Sequence, residues 1–198
     1  MRRLYISQSA INDFLTCKKR YYYRLNFKSK AIQTREMFLG TLVHTLLEDF
    51  STNFEDATFE VSRLVETHKL NEEDELLLRK SIEGFFSKFY HLVTPDDEKE
   101  KMFSIPYEKN VYLAGKFDRI TPSHLVIDWK SGTYVPKTLS NDVQSIIYDY
   151  AYKQMYGVKP SLVVAYLRRG KLSTYTENEI YVDTLFNEVL PDMLESIS

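Results

Sequence analysis

The hydrophobic period of the chain changes near Met102, from the three- and four-residue spacing of amphipathic helices to the alternation of strands. Three extended segments follow this change: Met102–Glu108, Val111–Ile120 and Leu125–Lys130. Because only short polar connections separate them, we expect neighbouring strands to run antiparallel. The chain must therefore fold around a three-stranded antiparallel meander that is combined with helices.

Helical patterns precede the meander. Ser7 or Ser9 can cap a first helix, whose apolar face comprises Ile11, Phe14, Leu15 and Tyr22. A second helix is predicted from Met37 to Phe50, because its apolar residues share one stripe. Residues 53–95 are predicted to be a helical insertion, in which Asn71 caps a helix.

The segment after the meander alternates helix and strand. A helix capped near Ser140 and ended by Gly157 is followed by a buried strand, Leu162–Leu167, and an edge partner. The last predicted helix, Val182–Leu190, is expected to be interrupted at Pro191. The fold class is therefore predicted to be α/β.

Length and composition limit the possible functions. A chain of 198 residues is typical of a single domain. The 26 basic and 28 acidic side chains give a formal net charge of −2, so any contact with nucleic acid would have to be local. The single cysteine excludes an internal disulfide and favours an intracellular protein. No apolar run reaches the roughly 18 residues of a membrane span, and the start lacks the apolar run of a signal peptide.

The segment Leu125–Lys130 begins as a buried strand and ends with two charges, Asp128 and Lys130, at alternate positions. The two-residue period of a strand puts both on one face, with Cα atoms about 6.6 Å apart. Asp118 on the preceding strand joins them if the connecting loop is Pro122–His124, because Asp118 then lies directly opposite Asp128. A four-residue loop would turn Asp118 to the other face.

Two carboxylates about 5 Å apart on one sheet face repel each other, and a divalent cation converts this repulsion into binding. Oxygen ligands suit Mg²⁺ or Mn²⁺, which polarise a phosphoryl oxygen and activate water. Lys130 could then stabilise an oxyanion or orient that water. The alternative is ordinary strand-end pairing, with Asp118 bound to Arg119 or Lys116. In this alternative, Asp128 pairs with Lys130. In the metal-site interpretation, we expect Asp128 to be an exposed acid among like charges.

His44 lies in a helical segment between apolar neighbours, which usually indicates a half-buried, hydrogen-bonded histidine. Imidazole is also a ligand for Mn²⁺. Gly40, one turn earlier, lowers helix stability by up to about 1 kcal/mol and indicates a close approach to another element.

Four motifs in this order closely resemble those of the RecB-like PD-(D/E)XK nucleases: Gly40–His44, Ala114–Ile120, Val126–Gly132, and Gln144 with Tyr148. The resemblance runs from Ser7 to about Leu167. It implies a restriction-endonuclease-like core, in which a mixed sheet is flanked by helices, and metal-dependent hydrolysis of DNA.

The resemblance also implies roles for single residues. Lys130 would be the catalytic lysine, and the metal ligands would be His44, Asp118, Asp128 and the backbone carbonyl of Trp129. Gln144 and Tyr148 lie four residues apart on one helix face and would be a catalytic polar pair that reaches toward a phosphate. Without the resemblance, these two side chains could equally edge the core.

The first helix resembles that of the same family, in which related CRISPR-adaptation nucleases carry a cysteine that helps bind an iron–sulfur cluster. Cys17 has no partner cysteines, so no cluster is expected. A basic and aromatic run follows it, which combines phosphate-binding charge with stacking surface: Lys18, Lys19, Arg20, Tyr21 and Arg24. The alternative is that these cations compensate the helix dipole while tyrosines pack inward.

The sequence therefore predicts a Mg²⁺- or Mn²⁺-dependent deoxyribonuclease, acting as an exonuclease on single-stranded or frayed duplex ends. One alternative is a catalytically silent DNA-binding or assembly subunit. Another is the nuclease component of a larger helicase, recombination or CRISPR-adaptation complex, which would require a partner protein.

Overall fold

The computed structural model describes residues 3–27 and 33–196. Met1 and Arg2, at the start of the sequence, lie outside these ranges. The strands are β1 (Leu4–Ser7), β2 (Glu98–Glu108), β3 (Val111–Ile120), β4 (Leu125–Lys130), β5 (Ser161–Tyr166) and β6 (Lys171–Thr174). The helices are α1 (Gln8–Thr16), α2 (Lys18–Phe27), α3 (Arg35–Asp49), α4 (Phe54–His68), α5 (Glu72–Gly84), α6 (Val143–Tyr156), α7 (Glu179–Thr184) and α8 (Leu190–Glu195). Within the described ranges, none of the helices is long and apolar enough to cross a membrane.

β3 has three partner strands and forms the centre of one mixed sheet. β2 pairs antiparallel with β3 along nearly its whole length. The other edge of β3 is shared: β1 pairs parallel with Val111–Ala114, and β4 pairs antiparallel near Arg119 and Ile120. β5 pairs parallel with β4, and β6 pairs antiparallel with β5. The predicted meander is thus confirmed, and β2 begins four residues earlier than Met102.

Alternate residues of β4 and β5 face two separate hydrophobic cores, as the period of two requires. On one face, Val126 and Leu162 pack with α1, α6 and the C-terminal helices. On the other face, Ile127 and Val163 pack with α3, α4 and α5. Helices therefore flank both faces of a mixed sheet, which confirms the predicted α/β, restriction-endonuclease-like class. That residues 53–95 are an insertion stays a prediction, although their helices supply part of the second core.

The first predicted helix is divided at Cys17, where the backbone is extended (φ −163°, ψ 105°). Ser7 caps α1 as predicted, but the apolar face predicted beyond the cap is only partly correct. Leu15 and Tyr22 are 52% and 50% exposed, and Tyr21 is buried instead. For Tyr22, the reason is that a helical spacing counted across Cys17 does not define one face, because the chain changes direction there. Leu15 precedes Cys17 and lies on the exposed side of α1 itself. β1 is too short to show a period and is not predicted by the sequence.

α6 and its C-terminal boundary largely follow the prediction. Gly157 ends α6 in the left-handed conformation (φ 71°) that favours glycine. The cap is Asp142 rather than Ser140: Asp142 Oδ2 accepts a hydrogen bond from the Ser145 amide (2.8 Å). Because Asp142 lies at the boundary itself, its carboxylate reaches an amide of the first turn.

The predicted interruption at Pro191 is wrong. The helical path continues through a π-helical turn, Leu185–Val189, into α8, which ends at Glu195. Pro191 lies in the first turn of α8. A proline lacks the N–H that a regular helical turn uses, and Pro191 lies just after the π-helical turn, where the regular hydrogen-bond ladder is already changed.

Candidate active site

The hairpin between β3 and β4 brings two carboxylates together. Arg119 pairs with Ile127, and continuing this register by one residue places Asp118 opposite Asp128. The loop is therefore the three residues Pro122–His124. Of the two registers that the sequence allows, this is the one that puts both carboxylates on the same face of the sheet.

Asp118 is buried between α3 and β4. Its Oδ1 lies 3.3 Å from His44 Nδ1, and its Oδ2 accepts a hydrogen bond from the Trp129 amide (2.8 Å). Burial lowers the pKa of His44, but hydrogen bonding to Asp118 and the negative charge there outweigh this effect, so the net pKa is raised. The structure thus brings His44 and Asp118 together. A ligand role for the Trp129 carbonyl stays a prediction.

Gly40 lies beside the segment that follows β4. A methyl group added at its Cα would lie 3.7 Å from Ser131 Oγ, an ordinary van der Waals distance. The segment after β4 does approach α3 at Gly40, as predicted, but the distance leaves room for a small side chain.

Glu100 on β2 is a candidate that no sequence motif indicates. The β2–β3 register places it opposite Asp118, on the other edge of β3. Its Oε1 lies 3.7 Å from His44 Nδ1, and its Oε2 pairs with Lys116. Its φ of 49° is left-handed, which is uncommon for a residue other than glycine. One ligand atom each from His44, Glu100 and Asp118 lie within 4.8 Å of one another, and we call these residues the acidic cluster.

Asp128 is almost completely buried, with 2% of its surface exposed, so the expectation of an exposed acid is wrong. The reason is that β4 lies between β3 and β5 and is covered by helices on both faces. Burial raises the pKa of Asp128 to about 6, although the charge of Lys130 acts in the opposite direction. Asp128 lies next to the acidic cluster without being one of its members.

The two oxygens of Asp128 have different surroundings. Oδ1 accepts a hydrogen bond from Gln144 Nε2 (2.8 Å). Oδ2 lies 2.8 Å from Lys130 Nζ as an ion pair, but it has no hydrogen-bond partner among the described residues. Burial lowers the pKa of Lys130, yet the charge of Asp128 outweighs burial and the net pKa is raised. Lys130 is therefore a cation in this site.

Gln144 and Tyr148 form a hydrogen-bonded chain behind these charges. Gln144 Oε1 accepts from Lys130 Nζ (2.7 Å), and Gln144 Nε2 also donates to the Tyr148 hydroxyl (2.9 Å). The Tyr148 hydroxyl in turn donates to the backbone carbonyl of Lys116. Burial raises the pKa of Tyr148 well above its ordinary value. Tyr148 is thus a buried neutral phenol that positions Gln144, and its contact with a phosphate stays a prediction.

The alternative of ordinary strand-end pairing is present only in part. Arg119 pairs with the buried carboxylate of Asp97 at 2.9 Å and not with Asp118. Lys116 pairs with Glu100. The predicted pair between Lys130 and Asp128 does form. Asp118 therefore contacts His44 and the Trp129 amide instead.

The basic run in α2 lies against carboxylates and rings of the protein itself. Arg20 and Arg24 both pair with Asp13. Tyr21 is only 4% exposed and packs edge-to-face on Phe14, so the prediction that it stacks on nucleic acid is wrong. The turn at Cys17 directs this side chain inward, as the alternative interpretation expects of the tyrosines.

The two lysines of this run are also engaged. Lys18 pairs with Asp192 and lies over the Phe14 ring, 5.1 Å from its centroid. Lys19 Nζ lies 5.9 Å from the centroid of Tyr23. Both ion pairs and cation–π contacts at exposed positions are weak, so these lysines stay candidates for contact with DNA.

Comparison with known proteins identifies the family. A sequence model of the PD-(D/E)XK nuclease superfamily matches residues 5–193, nearly the whole chain. The chain belongs to this superfamily. No curated protein sequence matches it at a significant level. A crystal structure of a "putative exonuclease" from Eubacterium rectale has a similar fold, with a TM-score of 0.64 and 15% identity over 97% of this chain and 80% of that one.

PD-(D/E)XK nucleases use divalent metals, and the donors present here fit such an ion. The acidic cluster offers two carboxylates and one imidazole. Next to it, Asp128 Oδ2 is buried and has no hydrogen bond among the described residues, and Lys130 Nζ lies 2.8 Å away as an ion pair. A carboxylate oxygen has more than one lone pair, so contact with one ammonium group leaves it capacity for a metal ion. Carboxylate oxygens and imidazole are ligands suited to Mg²⁺ and Mn²⁺.

Proposed function

We propose that this protein is a metal-dependent deoxyribonuclease of the RecB-like branch, which removes nucleotides from single-stranded or frayed DNA ends. The observation that carries the proposal is the pairing of Asp118 with Asp128 across β3 and β4, with His44 and Lys130 beside them. Two buried carboxylates next to each other repel, which raises the cost of keeping both ionised. A phosphodiesterase site uses such a pair, because it must hold a cation.

His44, Glu100, Asp118 and Asp128 would hold Mg²⁺ or Mn²⁺, with the Trp129 carbonyl as a further ligand. The bound ion would polarise a phosphoryl oxygen and lower the pKa of a coordinated water. The amide of Trp129 fixes the orientation of Asp118. Lys130 keeps its charge and is fixed by Gln144, so it can stabilise the negative charge that develops on the phosphoryl group.

The charge of the protein supports an end-directed substrate. A formal net charge of −2 provides no broad positive surface to hold long duplex DNA. The candidate cations are local: Lys130 at the site, and Lys18 and Lys19 on α2. Short single strands and frayed ends require fewer phosphate contacts than a duplex groove.

The proposal is tested with end-labelled single-stranded and double-stranded oligonucleotides in Mg²⁺, Mn²⁺ or chelator. We expect the wild type to cleave single strands fastest, only with metal, and to release nucleotides progressively from an end. Asp128→Asn retains the shape of the side chain and should lower the rate by about 100-fold or more. Asp183→Asn, an exposed change on α7, is the matched control and should cleave at the wild-type rate.

Different results point to the other functions. Cleavage in chelator, or an Asp128→Asn variant as fast as the wild type, would contradict the proposal. Absence of Mn²⁺ binding in calorimetry, together with absence of cleavage, would favour a catalytically silent DNA-binding subunit. Cleavage that begins only after a helicase is added would favour a nuclease component of a larger complex.

A further inference from the structure

Lys130 belongs to the wall of a cavity as well as to the candidate active site. The cavity has a volume of about 760 Å³ and is bounded by α1, by the segment after β4, and by the N-terminal end of α6. This volume lies within the range of roughly 300–1,000 Å³ that is typical of small-molecule sites. A ligand in the cavity would therefore lie next to whatever Lys130 and Asp128 act upon.

Two exposed apolar side chains line this cavity. Tyr134 is 80% exposed, the highest value among the large hydrophobic side chains of the described residues. Leu15 on α1 lines another wall and is 52% exposed. Neither side chain contributes much to the core in these positions. A flat aromatic ring that is open to solvent beside a cation can stack on a nucleobase.

The segment that carries Tyr134 is fixed by two arginines from the turn after β5. Arg168 Nε donates to the Ser131 carbonyl (2.6 Å), and Arg169 Nε donates to the Thr133 carbonyl (3.0 Å). Arg168 also lines the cavity, and no carboxylate within residues 3–27 or 33–196 pairs with it. Its guanidinium therefore adds a second positive charge to the wall of the cavity, which Lys130 and Tyr134 also line.

Two carboxylates line the same cavity, and both have partners in the protein. Asp142 Oδ2 accepts hydrogen bonds from the amide and the hydroxyl of Ser145 at the start of α6. Glu36 lies in the first turn of α3, where interaction with its own backbone amide and with Thr34 lowers the pKa of its carboxyl group. These charges disfavour a long polyanion running through the cavity. They are compatible with one nucleotide whose phosphate faces Lys130 and Arg168.

We propose that this cavity binds one unpaired nucleotide of a single DNA strand, next to the phosphodiester that is cleaved. Tyr134 stacks on the base, Leu15 contacts it from α1, and Arg168 binds the backbone phosphate. The inference rests on the proposed nuclease function, which defines how the nucleotide is oriented in the cavity. Lys130 links the cavity to the phosphate that reacts. Tyr134 has a binding role here and takes no part in the chemistry.

The test uses single-stranded oligonucleotides with 2-aminopurine at successive positions from one end. Binding to the 198-residue chain is measured in EDTA and in Ca²⁺, with gel electrophoresis to verify that the strand is intact. We expect 2-aminopurine fluorescence to be quenched at one position. Tyr134→Ala should abolish this quenching and weaken binding by about 5- to 150-fold, from a stacking contribution of about 1–3 kcal/mol. Tyr134→Phe should retain both.

Matched controls separate a local effect from a general one. Tyr181→Ala removes another exposed tyrosine, on α7, and should bind like the wild type. Arg168→Gln should lower the slope of log affinity against log salt concentration by about one, because one phosphate contact is lost. Lys171→Gln, at an exposed position nearby in sequence, should leave the slope unchanged.

The outcomes distinguish this inference from the proposed function. If the wild type cleaves DNA and Tyr134→Ala binds with undiminished quenching and affinity, the nucleotide subsite is wrong and the nuclease function stands. If quenching depends on Tyr134 but no metal supports cleavage, the nuclease function fails and the subsite stands. Failure of the wild type to bind any of these oligonucleotides would overturn the subsite directly.

Discussion

Gln144 donates a hydrogen bond from Nε2 to Asp128 Oδ1 at 2.8 Å, across the junction of α6 and β4. Its Oε1 accepts from Lys130 Nζ at 2.7 Å. One amide therefore satisfies a carboxylate and an ammonium group at the same time, with its donor facing the anion and its acceptor facing the cation. This arrangement makes Gln144 a positioning residue for both charges of β4.

Replacement of Gln144 should consequently weaken metal binding and cleavage together. In Gln144→Ala, the buried Asp128 loses its hydrogen bond and Lys130 loses its acceptor. We expect Mn²⁺ affinity and kcat each to fall by about 10- to 100-fold. Calorimetry with Mn²⁺ and single-turnover cleavage measure the two effects. Gln154→Ala, an exposed change on the same helix, is the control, and equal behaviour of the two variants would contradict the positioning role.

Glu100→Gln tests whether the acidic cluster includes Glu100. The substitution retains the shape but removes one of the two carboxylates that lie near His44. We expect Mn²⁺ affinity, measured by calorimetry, to fall by about tenfold or more, because a ligand charge is lost. Glu108→Gln, an exposed change on the same strand, should bind Mn²⁺ like the wild type. Unchanged affinity in Glu100→Gln would exclude Glu100 from the site.

The sequence could reduce the placement of Asp118 to two registers, one of which pairs it with Asp128, because the length of one short loop fixes the register and the register fixes the face of every side chain. The structure was needed to choose between the two. The sequence could not identify Glu100 in the same way. The run from Glu98 to Lys101 alternates in charge rather than in hydrophobicity, so the start of β2 gives no strand signal. Glu100, which lies opposite Asp118 on the β2 side of β3, was therefore not predicted.

Burial was harder to predict than register, because it depends on elements that are distant in the chain. Asp128 is buried by β5 and by helices on both faces of the sheet. Tyr21 is buried because the chain turns at Cys17, a residue with no turn preference of its own. Such positions follow from tertiary packing, which a local pattern of apolar residues does not contain.

The stability of the metal-free protein should decrease as the pH rises through about 6. Burial raises the pKa of Asp128 to about 6 in the folded state, above the ordinary value of 3.8. The folded protein therefore favours the protonated acid, and this contribution is complete below pH 3.8 and lost above the folded pKa. Urea unfolding in EDTA from pH 4 to pH 8 measures it. Asp128→Asn should gain stability relative to the wild type over this range, and a constant difference would contradict the prediction.

Asp97→Ala should destabilise the protein by about 3–5 kcal/mol, because it leaves a buried guanidinium without its carboxylate. Arg119 is 3% exposed, and its Nε donates to Asp97 Oδ2 at 2.9 Å. Urea unfolding measures the loss. Glu75→Ala breaks the partly exposed pair with Arg79 and should cost less than about 1 kcal/mol. Similar losses of unfolding free energy in the two variants would show that burial does not determine how much the Arg119–Asp97 pair contributes to stability.

Gly84→Ala should also destabilise the protein, through contact with the turn that carries Arg168. A methyl group on Gly84 would lie 2.0 Å from the backbone carbonyl oxygen of Leu167, so the backbone must shift. Overpacking of this kind costs about 1–3 kcal/mol, which outweighs the gain in helix propensity of up to about 1 kcal/mol. Gly132→Ala, where the added methyl group meets no atom within 4 Å, is the control in urea unfolding. Unchanged or increased stability of Gly84→Ala would show that α5 and the Leu167 turn can separate without cost.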